Sequence, residues 1–321
     1  MPRETLDLLT LDEAAFSKLY AERIEPILKA NEGNRVTAIE TYVVRRNWGV
    51  LAAIAVGGAT MWWSNDVINA LIFGGVAFAG AHWYAYQPLQ AVETATKQQS
   101  LNAVARAIGC SYELGAFEPD AFKRFTDLQL LPGCDRSSFQ DCFNGDFRGC
   151  GFTFYEGHLE RRVQTKNGSR WDTVFRGQMI RIAFPKKFQG ITVVRRDAGL
   201  FNVLQRWTTS LQRVGLGDSR LEKAFEVYSN DQVEARYLIH PVFMERLLAL
   251  ETHFKGKRLR CAFESGDLLI AIEGGDKFEI GSMFKRLDDI ERARAITNDV
   301  AEIMRVIEAA LTAEQSALPT R

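Results

Sequence analysis

Two long apolar runs in the first third of the chain dominate its hydrophobic pattern. The first covers residues 48–63, the second covers residues 67–86, and residues 64–66 separate them. A helix needs about 20 residues to cross a hydrocarbon core about 30 Å thick. The second run has that length, and the first reaches it when residues 41–44 extend it and the arginines that follow them snorkel toward the headgroups. The pattern therefore predicts two spans joined by a tight turn.

Aromatic residues mark the ends of both runs, as they do at membrane–water interfaces. Trp48, Trp62 and Trp63 flank the first run, and Trp83 lies near the end of the second. Neither run carries the polar stripe that an amphipathic helix of a soluble core shows. The pattern favours a transmembrane hairpin, and a buried helical hairpin of a soluble protein is the alternative.

Basic residues near the ends of the runs predict the orientation. Arg45 and Arg46 precede the first run, Lys97 follows the second, and the linker contains no basic residue. The positive-inside rule places both termini in the cytoplasm. The acidic N-terminus also lacks the positive-then-apolar order of a signal peptide. We therefore expect a multi-pass protein of the inner (cytoplasmic) membrane.

Small residues recur four positions apart in both runs, a spacing that lets helix backbones approach closely. They are Ala53, Gly57, Ala70, Gly74, Gly75 and Ala79. We expect them to pack the two spans together, and association of chains into a homo-oligomer follows from the same rule. His82 lies in the last turns of the second span. We expect it to snorkel to the interface, with a proton-relay role as the alternative.

Helical patterns flank the spans. A helix is predicted over residues 10–31, with the Asn31-Glu32-Gly33 segment as its stop. Residues 35–47 continue as helix into the first span, and residues 89–107 resume a helical period after Pro88. We expect these two segments to pack as an antiparallel stalk on the cytoplasmic side.

From about residue 110 the pattern changes to short strands and helices. Residues 152–164 and 171–184 predict a hairpin around Asn167-Gly168. Further strands are predicted at 190–195, 224–228, 236–239, 257–264, 267–273 and 277–280, and helices at 200–214, 241–253 and 287–311. Mixed helices and antiparallel hairpins indicate an α+β class. The predicted organisation is N-terminal cytoplasmic helices (1–47), a transmembrane hairpin (48–86), a juxtamembrane helix (87–109) and a cytoplasmic α+β domain (110–321).

Charge and cysteine content narrow the function. The 321 residues carry 40 Lys and Arg against 40 Asp and Glu, a balance that argues against nucleic-acid binding. Cys134, Cys142, Cys150 and His158 recur at intervals of eight. Structural zinc sites use closer pairs, so we expect free cytosolic thiols, no metal and no cofactor.

A cluster of basic residues follows the predicted hairpin strands. It runs from Arg161 to Arg196 and includes Lys166, Arg170, Arg176 and Arg181. The members predicted to contact the membrane are Arg161, Arg162, Lys186, Lys187, Arg195 and Arg196. The inner leaflet is anionic and attracts nearby Lys and Arg side chains. We therefore predict that the cluster, together with Arg45 and Arg46, contacts the membrane surface. A solvated face balanced by acids elsewhere is the alternative.

The sequence contains none of the motifs that mark common catalytic or phosphate-binding sites. Asp231, Glu234 and His240 are the candidates if the chain is an enzyme acting on a membrane-proximal substrate. A small transporter or channel component would need several copies, because two spans line a pore only as an oligomer. No sequence motif supports either the enzyme or the transporter alternative.

The stretch from Leu221 to Leu250 carries a family resemblance. Its Val227-Tyr228-Ser229, Ala235-Arg236-Tyr237 and Met244-Glu245-Arg246-Leu247 segments, with Val174-Phe175-Arg176-Gly177 upstream, resemble DUF3137, a bacterial membrane family of unknown function. The resemblance extends to the two-span hairpin and covers most of the chain. It implies an inner-membrane protein with a cytoplasmic α+β domain, and it provides no catalytic residue to carry over.

These observations together predict a non-enzymatic scaffold or regulatory binding domain anchored at the bacterial inner membrane. The expected partners are the lipid bilayer and a protein.

Overall fold

The computed structural model describes residues 8–166, 168–196, 211–275 and 290–317. The eight α-helices of these residues are α1 (Glu13–Leu19), α2 (Glu25–Ser64), α3 (Val67–Ala107), α4 (Phe122–Asp127), α5 (Ser219–Ala224), α6 (Gln232–Leu238), α7 (Pro241–His253) and α8 (Ile290–Ala317). A π-helical turn, Tyr20–Ile24, connects α1 to α2. The predicted strand 277–280 and the first residues of the predicted helix 287–311 lie outside the described residues, as do Asn167 and the segment 200–210.

The two longest helices, α2 and α3, pack together as an antiparallel pair. Ala38 and Tyr42 of α2 form a buried cluster with Ala85 and Leu89 of α3. The expectation that the helical segments beside the spans are neighbours is therefore confirmed. Between the helices, Asn65 adopts a left-handed conformation at the end of α2, and the Asp66 carboxylate accepts a hydrogen bond from the Ile68 amide.

Both long helices continue through residues that were expected to interrupt them. The predicted stop at residues 31–33 is wrong, because α2 runs unbroken from Glu25. Glycine inside a helix costs only about 1 kcal/mol relative to alanine, which a helix of this length tolerates. Pro88 likewise lies inside α3.

The described residues form a nine-stranded sheet in which every neighbouring pair is antiparallel. The strands are β1 (Ser111–Glu113), β2 (Arg136–Phe147), β3 (Cys150–Thr165), β4 (Gly168–Ala183), β5 (Thr192–Arg196), β6 (Gln212–Val214), β7 (Phe225–Ser229), β8 (Lys257–Glu264) and β9 (Asp267–Glu273). Their spatial order is β1-β2-β3-β4-β9-β8-β5-β7-β6. The α+β class is confirmed.

The sheet covers an aromatic and aliphatic core. Phe125 of α4 and Phe139 of β2 pack there with Tyr155 of β3 and Met179 of β4. Tyr155 meets Phe139 edge to face, with ring centroids 5.8 Å apart, a favoured geometry for aromatic pairs. This core holds β2, β3 and β4 to the helix that precedes them.

Two further predictions differ from the structure. Residues 236–239 were expected to be extended, yet α6 occupies Gln232–Leu238. The Asp231 carboxylate accepts hydrogen bonds from the Val233 and Glu234 amides, a helix cap that favours the helical conformation. The predicted helix 200–214 is wrong at its end, because Gln212–Val214 pairs as β6 with β7.

The chain divides into two compact units. One contains Ala14–Val104 and therefore most of α2 and α3. The other contains the nine-stranded sheet with α4–α7 and α8 from Arg294 onward. Each unit is described by itself below, first the helical hairpin and then the α+β domain.

Candidate functional site

The apolar runs of the hairpin lie on its outer surface. Trp62 and Trp63 are 90% and 92% exposed, and Leu71 is 71% exposed. Helix α3 is long and apolar enough to cross a membrane, and none of its most apolar window is buried within the chain. Exposed apolar area of this extent is unfavourable in water.

Helix α3 alone among the described helices meets this requirement of length and hydropathy. The run 48–63 of α2 is rich in glycine and tryptophan, whose hydropathy is slightly negative and lowers the mean of the run. The membrane character of the second predicted span is therefore better supported than that of the first.

Four of the six small residues lie where the backbones of the two helices come close together. Gly57 of α2 and Gly74 of α3 face each other, so that a Cβ added to Gly74 would lie 3.4 Å from the Gly57 Cα and 3.5 Å from the Ala53 carbonyl oxygen. A Cβ on Gly57 would meet the Ala70 carbonyl oxygen at 3.4 Å. Gly75 and Ala79 are instead exposed. The hairpin therefore uses only part of the predicted set.

We expect Gly74→Leu to separate the two helices and to destabilise their packing by about 1–3 kcal/mol, because a leucine cannot fit against the Gly57 backbone. Gly75→Leu is the matched control, since nothing lies within 4 Å of a Cβ at that position. The measurement is disulfide formation between cysteines introduced at Ala38 and Leu89, which lie in one buried cluster between the two helices. Equal disulfide yields in the two leucine variants would contradict the assignment of Gly74 to the helix contact.

Aromatic and basic side chains gather at the end of the hairpin away from the turn. The Arg45 guanidinium lies 4.8 Å from the ring centroid of Tyr84, and the Arg46 guanidinium lies 5.8 Å from that of Tyr42. His82 is exposed and meets Tyr42 edge to face. Arginines over aromatic rings at one end match the arrangement expected at a membrane–water interface.

Members of the basic cluster in the α+β domain lie near opposite ends of strand β4. Arg161 lies opposite Asp172 near the tip of the β3–β4 hairpin, whereas Lys186 and Lys187 follow the other end of β4 at Ala183. At about 3.3 Å per residue, the stretch of β4 from Asp172 to Ala183 spans roughly 36 Å. Arg161 and Arg162 therefore do not share a local patch with the two lysines.

The other two arginines predicted to contact the membrane form ion pairs with acidic residues of the domain. Arg195 forms a 2.9 Å ion pair with Glu226, and Arg196 forms a 3.0 Å pair with Glu251. Both Glu side chains are buried. Among the predicted surface contacts in this domain, the exposed ones are Arg161, Arg162, Lys186 and Lys187.

The evenly spaced cysteines are not gathered into one site, and no group of three metal-ligating side chains occurs among the described residues. All five cysteines are free. Burial raises the pKa of the Cys142 thiol to about 11 and that of Cys110 to about 12. Thiols with raised pKa values are poor nucleophiles and ligands at neutral pH.

The acidic candidates Asp231 and Glu234 both accept hydrogen bonds from backbone amides. The Glu234 carboxylate accepts hydrogen bonds of 2.8 Å from the Gln189 and Gly190 amides, while Asp231 caps α6. The Nε2 atom of His240 lies 3.1 Å from the Ala309 carbonyl oxygen. The structure thus gives each of these three side chains a backbone partner, and Glu234 fixes the loop that carries Lys186 and Lys187.

This loop closes one side of a cavity of about 290 Å³. Phe184, Phe188 and Phe263 form its aromatic wall, and the exposed Lys186 and Lys187 lie at its rim. The Phe188 and Phe263 rings meet edge to face, with centroids 5.2 Å apart. The sequence pattern missed this cavity, because its lining comes from segments far apart in the chain.

Comparison with known proteins gives two findings. Residues 173–310 match the family model described as Protein of unknown function (DUF3137). The family prediction is therefore confirmed for this part of the chain, which includes the cavity, and the match does not extend to the hairpin. Among curated proteins, none matches.

One solved structure is similar at a low level. It is the mycobacterial trehalose monomycolate transport factor A, TtfA, with 13% sequence identity and a TM-score of 0.35. The likeness covers 64% of this chain and 94% of that one. A likeness of this extent carries no conclusion about function.

Proposed function

We propose that the protein is a binding or scaffold protein anchored in the bacterial inner membrane by its α2–α3 hairpin. The observation that carries the proposal is the exposed apolar surface of α3, which water solvates poorly and lipid solvates well. Arginine–aromatic pairs at one end of the hairpin and exposed tryptophans at the other give it the two interface layers of a membrane segment. Both termini then lie in the cytoplasm.

A binding role is favoured over catalysis because the acidic candidates for a catalytic role have structural partners. Asp231 and Glu234 accept hydrogen bonds from backbone amides, and these bonds stabilise a helix and a loop. The cavity beside them has an aromatic wall, which is typical of a pocket that holds an apolar group. The α+β domain is accordingly proposed to recognise a ligand or partner at the membrane surface.

Extraction of membranes with alkaline carbonate tests the anchor. We expect the wild-type chain to stay in the membrane fraction, and Leu71→Arg with Phe73→Arg to release it, since one arginine at the centre of a span costs about 2.5–3.5 kcal/mol. Trp171→Arg, at an exposed position of the α+β domain, is the control and should stay membrane-bound. Release of the wild-type chain by carbonate would overturn the proposal.

The orientation is tested separately by accessibility. A cysteine introduced at Ser64 should react with a membrane-impermeant maleimide added to intact cells from the periplasmic side. A cysteine introduced at Thr94 should react only after the cells are opened. The reverse pattern would contradict a cytoplasmic domain and leave the anchor itself intact.

A further inference from the structure

Exposed apolar residues of the α+β domain concentrate around α6. Among the described residues of this domain, the large hydrophobic side chains with high exposure are Trp171, Val233, Tyr237 and Val242. Val233, Tyr237 and Val242 each line at least one of two neighbouring cavities. Tyr237, which is 52% exposed, lines both cavities and stands between them.

The first cavity is the one with the aromatic wall described above. On the α6 side it is lined by Val233 and Leu238, and Ala310 of α8 lines it as well. Its acidic lining residues, Asp231 and Glu234, are bound to backbone amides. Its volume of about 290 Å³ lies just below the roughly 300–1,000 Å³ range of small-molecule pockets. It suits an apolar chain or ring.

The second cavity is a groove of about 480 Å³ with a cationic lining. Arg236 of α6, Arg246 of α7 and Arg305 of α8 converge on it. Its acidic lining residue, Glu308, forms a 2.8 Å ion pair with Arg148. Arg236 and Arg246 are exposed, and neither has an acidic partner among the described residues. Guanidinium groups bind carboxylate and phosphate oxygens with paired hydrogen bonds.

We propose that the two cavities together bind one single-chain anionic amphiphile. Its hydrocarbon chain enters the aromatic-walled cavity, and its phosphate or carboxylate contacts Arg236 and Arg246 in the groove. Tyr237 lies at the junction, where its amphipathic ring suits both parts of such a ligand. The inference deepens the proposed function, because it names the ligand class of the binding domain.

The concave shape favours a single amphiphile over a flat bilayer surface. A bilayer contact needs exposed side chains that project from a convex face, whereas here the apolar lining includes Phe263, which is only 1% exposed. An inorganic anion would fill the groove and leave the aromatic cavity unused. An amphiphile satisfies both parts.

Photolabelling of the full chain in phosphatidylcholine nanodiscs tests the proposal. The probe is dodecyl phosphate with a diazirine near the end of its chain, and mass spectrometry maps the adducts. We expect adducts on peptides that contain Phe188 and Val233. Arg236→Gln with Arg246→Gln should raise the probe concentration needed for half-maximal labelling by roughly tenfold or more, because charge-assisted hydrogen bonds are lost. Arg213→Gln with Lys223→Gln, at exposed positions outside the groove, should change nothing.

Three further measurements distinguish a single-chain amphiphile from an uncharged alcohol, an inorganic anion and a bilayer lipid. The corresponding diazirine dodecanol should label the cavity peptides at least tenfold more weakly, and inorganic phosphate should compete only at far higher concentration than dodecyl phosphate. Equal labelling by the alcohol, or equal competition by inorganic phosphate, would overturn the proposal. A double-chain phosphatidic acid that carries the same diazirine and labels these peptides when dodecyl phosphate does not would also overturn it, in favour of the bilayer surface.

The two failures are distinguishable. Carbonate extraction reports on α2 and α3, whereas the labelled peptides lie in the α+β domain. A chain that carbonate releases and that still takes the probe at Phe188 refutes the anchor alone. A chain that stays in the membrane and takes no probe in the cavity refutes the amphiphile site alone.

Discussion

Replacing Gly177 by alanine is expected to destabilise the α+β domain by about 3 kcal/mol or more. Gly177 lies in β4 opposite Glu273 of β9. An added Cβ would lie 2.0 Å from the Ile272 carbonyl oxygen and 2.8 Å from the Gly274 amide nitrogen. Both are backbone atoms, so the two strands themselves must move apart, and overpacking of this kind is costly.

Hydrogen exchange of the full chain measures this effect strand by strand. Protection of β4 and β9 should fall in Gly177→Ala. The matched control is Gly151→Ala in β3, where nothing lies within 4 Å of an added Cβ and alanine is tolerated in a strand. Equal protection in the two variants would show that β4 and β9 pair less closely than described.

Glu251→Ala is expected to cost about 2 kcal/mol, because it removes an acceptor from one buried and one half-buried contact. The Glu251 carboxylate accepts a 2.9 Å hydrogen bond from the Leu259 amide and pairs with Arg196 at 3.0 Å. Leu259 is fully buried, so its amide would have no access to water. A buried amide that loses its acceptor costs about 1–3 kcal/mol, and the half-buried Arg196 adds less because water screens its charge.

Denaturant unfolding of the full chain, followed by near-ultraviolet circular dichroism, gives the size of this loss. Glu251→Gln keeps an oxygen for the Leu259 amide and should lose less than half as much stability. Glu245→Ala, at an exposed position of the same helix, should be nearly neutral. Equal losses of unfolding free energy in Glu251→Ala and Glu245→Ala would show that the contacts of Glu251 do not stabilise the domain.

Elements with a clean hydrophobic period were predictable from sequence. The hairpin strands predicted at 152–164 and 171–184 correspond to β3 and β4, and the helix predicted at 241–253 is α7. The strands predicted at 257–264 and 267–273 correspond to β8 and β9, and Ser265 and Gly266 between them both adopt positive φ. In each case the local chemistry and the tertiary packing favour the same conformation.

Elements with a broken period were not predictable. Strand β2 shifts register between Gln140 and Phe143, and Asp141 there has a φ of 57°. This irregularity moves the following side chains to the other face, so the alternation that marks a strand is lost. Helix α6 was missed for a different reason, because its stability comes from the Asp231 cap.

The arginine groove gave no signal in the sequence. Arg305 is 59 positions beyond Arg246, and Arg236 lies in a segment that was predicted to be extended. They meet only because α6, α7 and α8 pack on the same part of the domain. The basic cluster that sequence proximity did suggest is divided by the length of β4. Proximity in sequence was therefore a poor guide to proximity in this fold.

The strand order has a consequence for synthesis of the chain. Strand β4 pairs with β9, and β5 pairs with β8, so the centre of the sheet requires contacts of high sequence separation. Topologies of this kind fold slowly. The α2–α3 hairpin leaves the ribosome long before β9 does. The β3–β4 hairpin is synthesised between them, and the edge of β4 that pairs with β9 stays unpaired until β9 follows. The α2–α3 hairpin is therefore complete before the sheet closes, and the nascent α+β domain passes through a state in which an aggregation-prone strand edge is exposed.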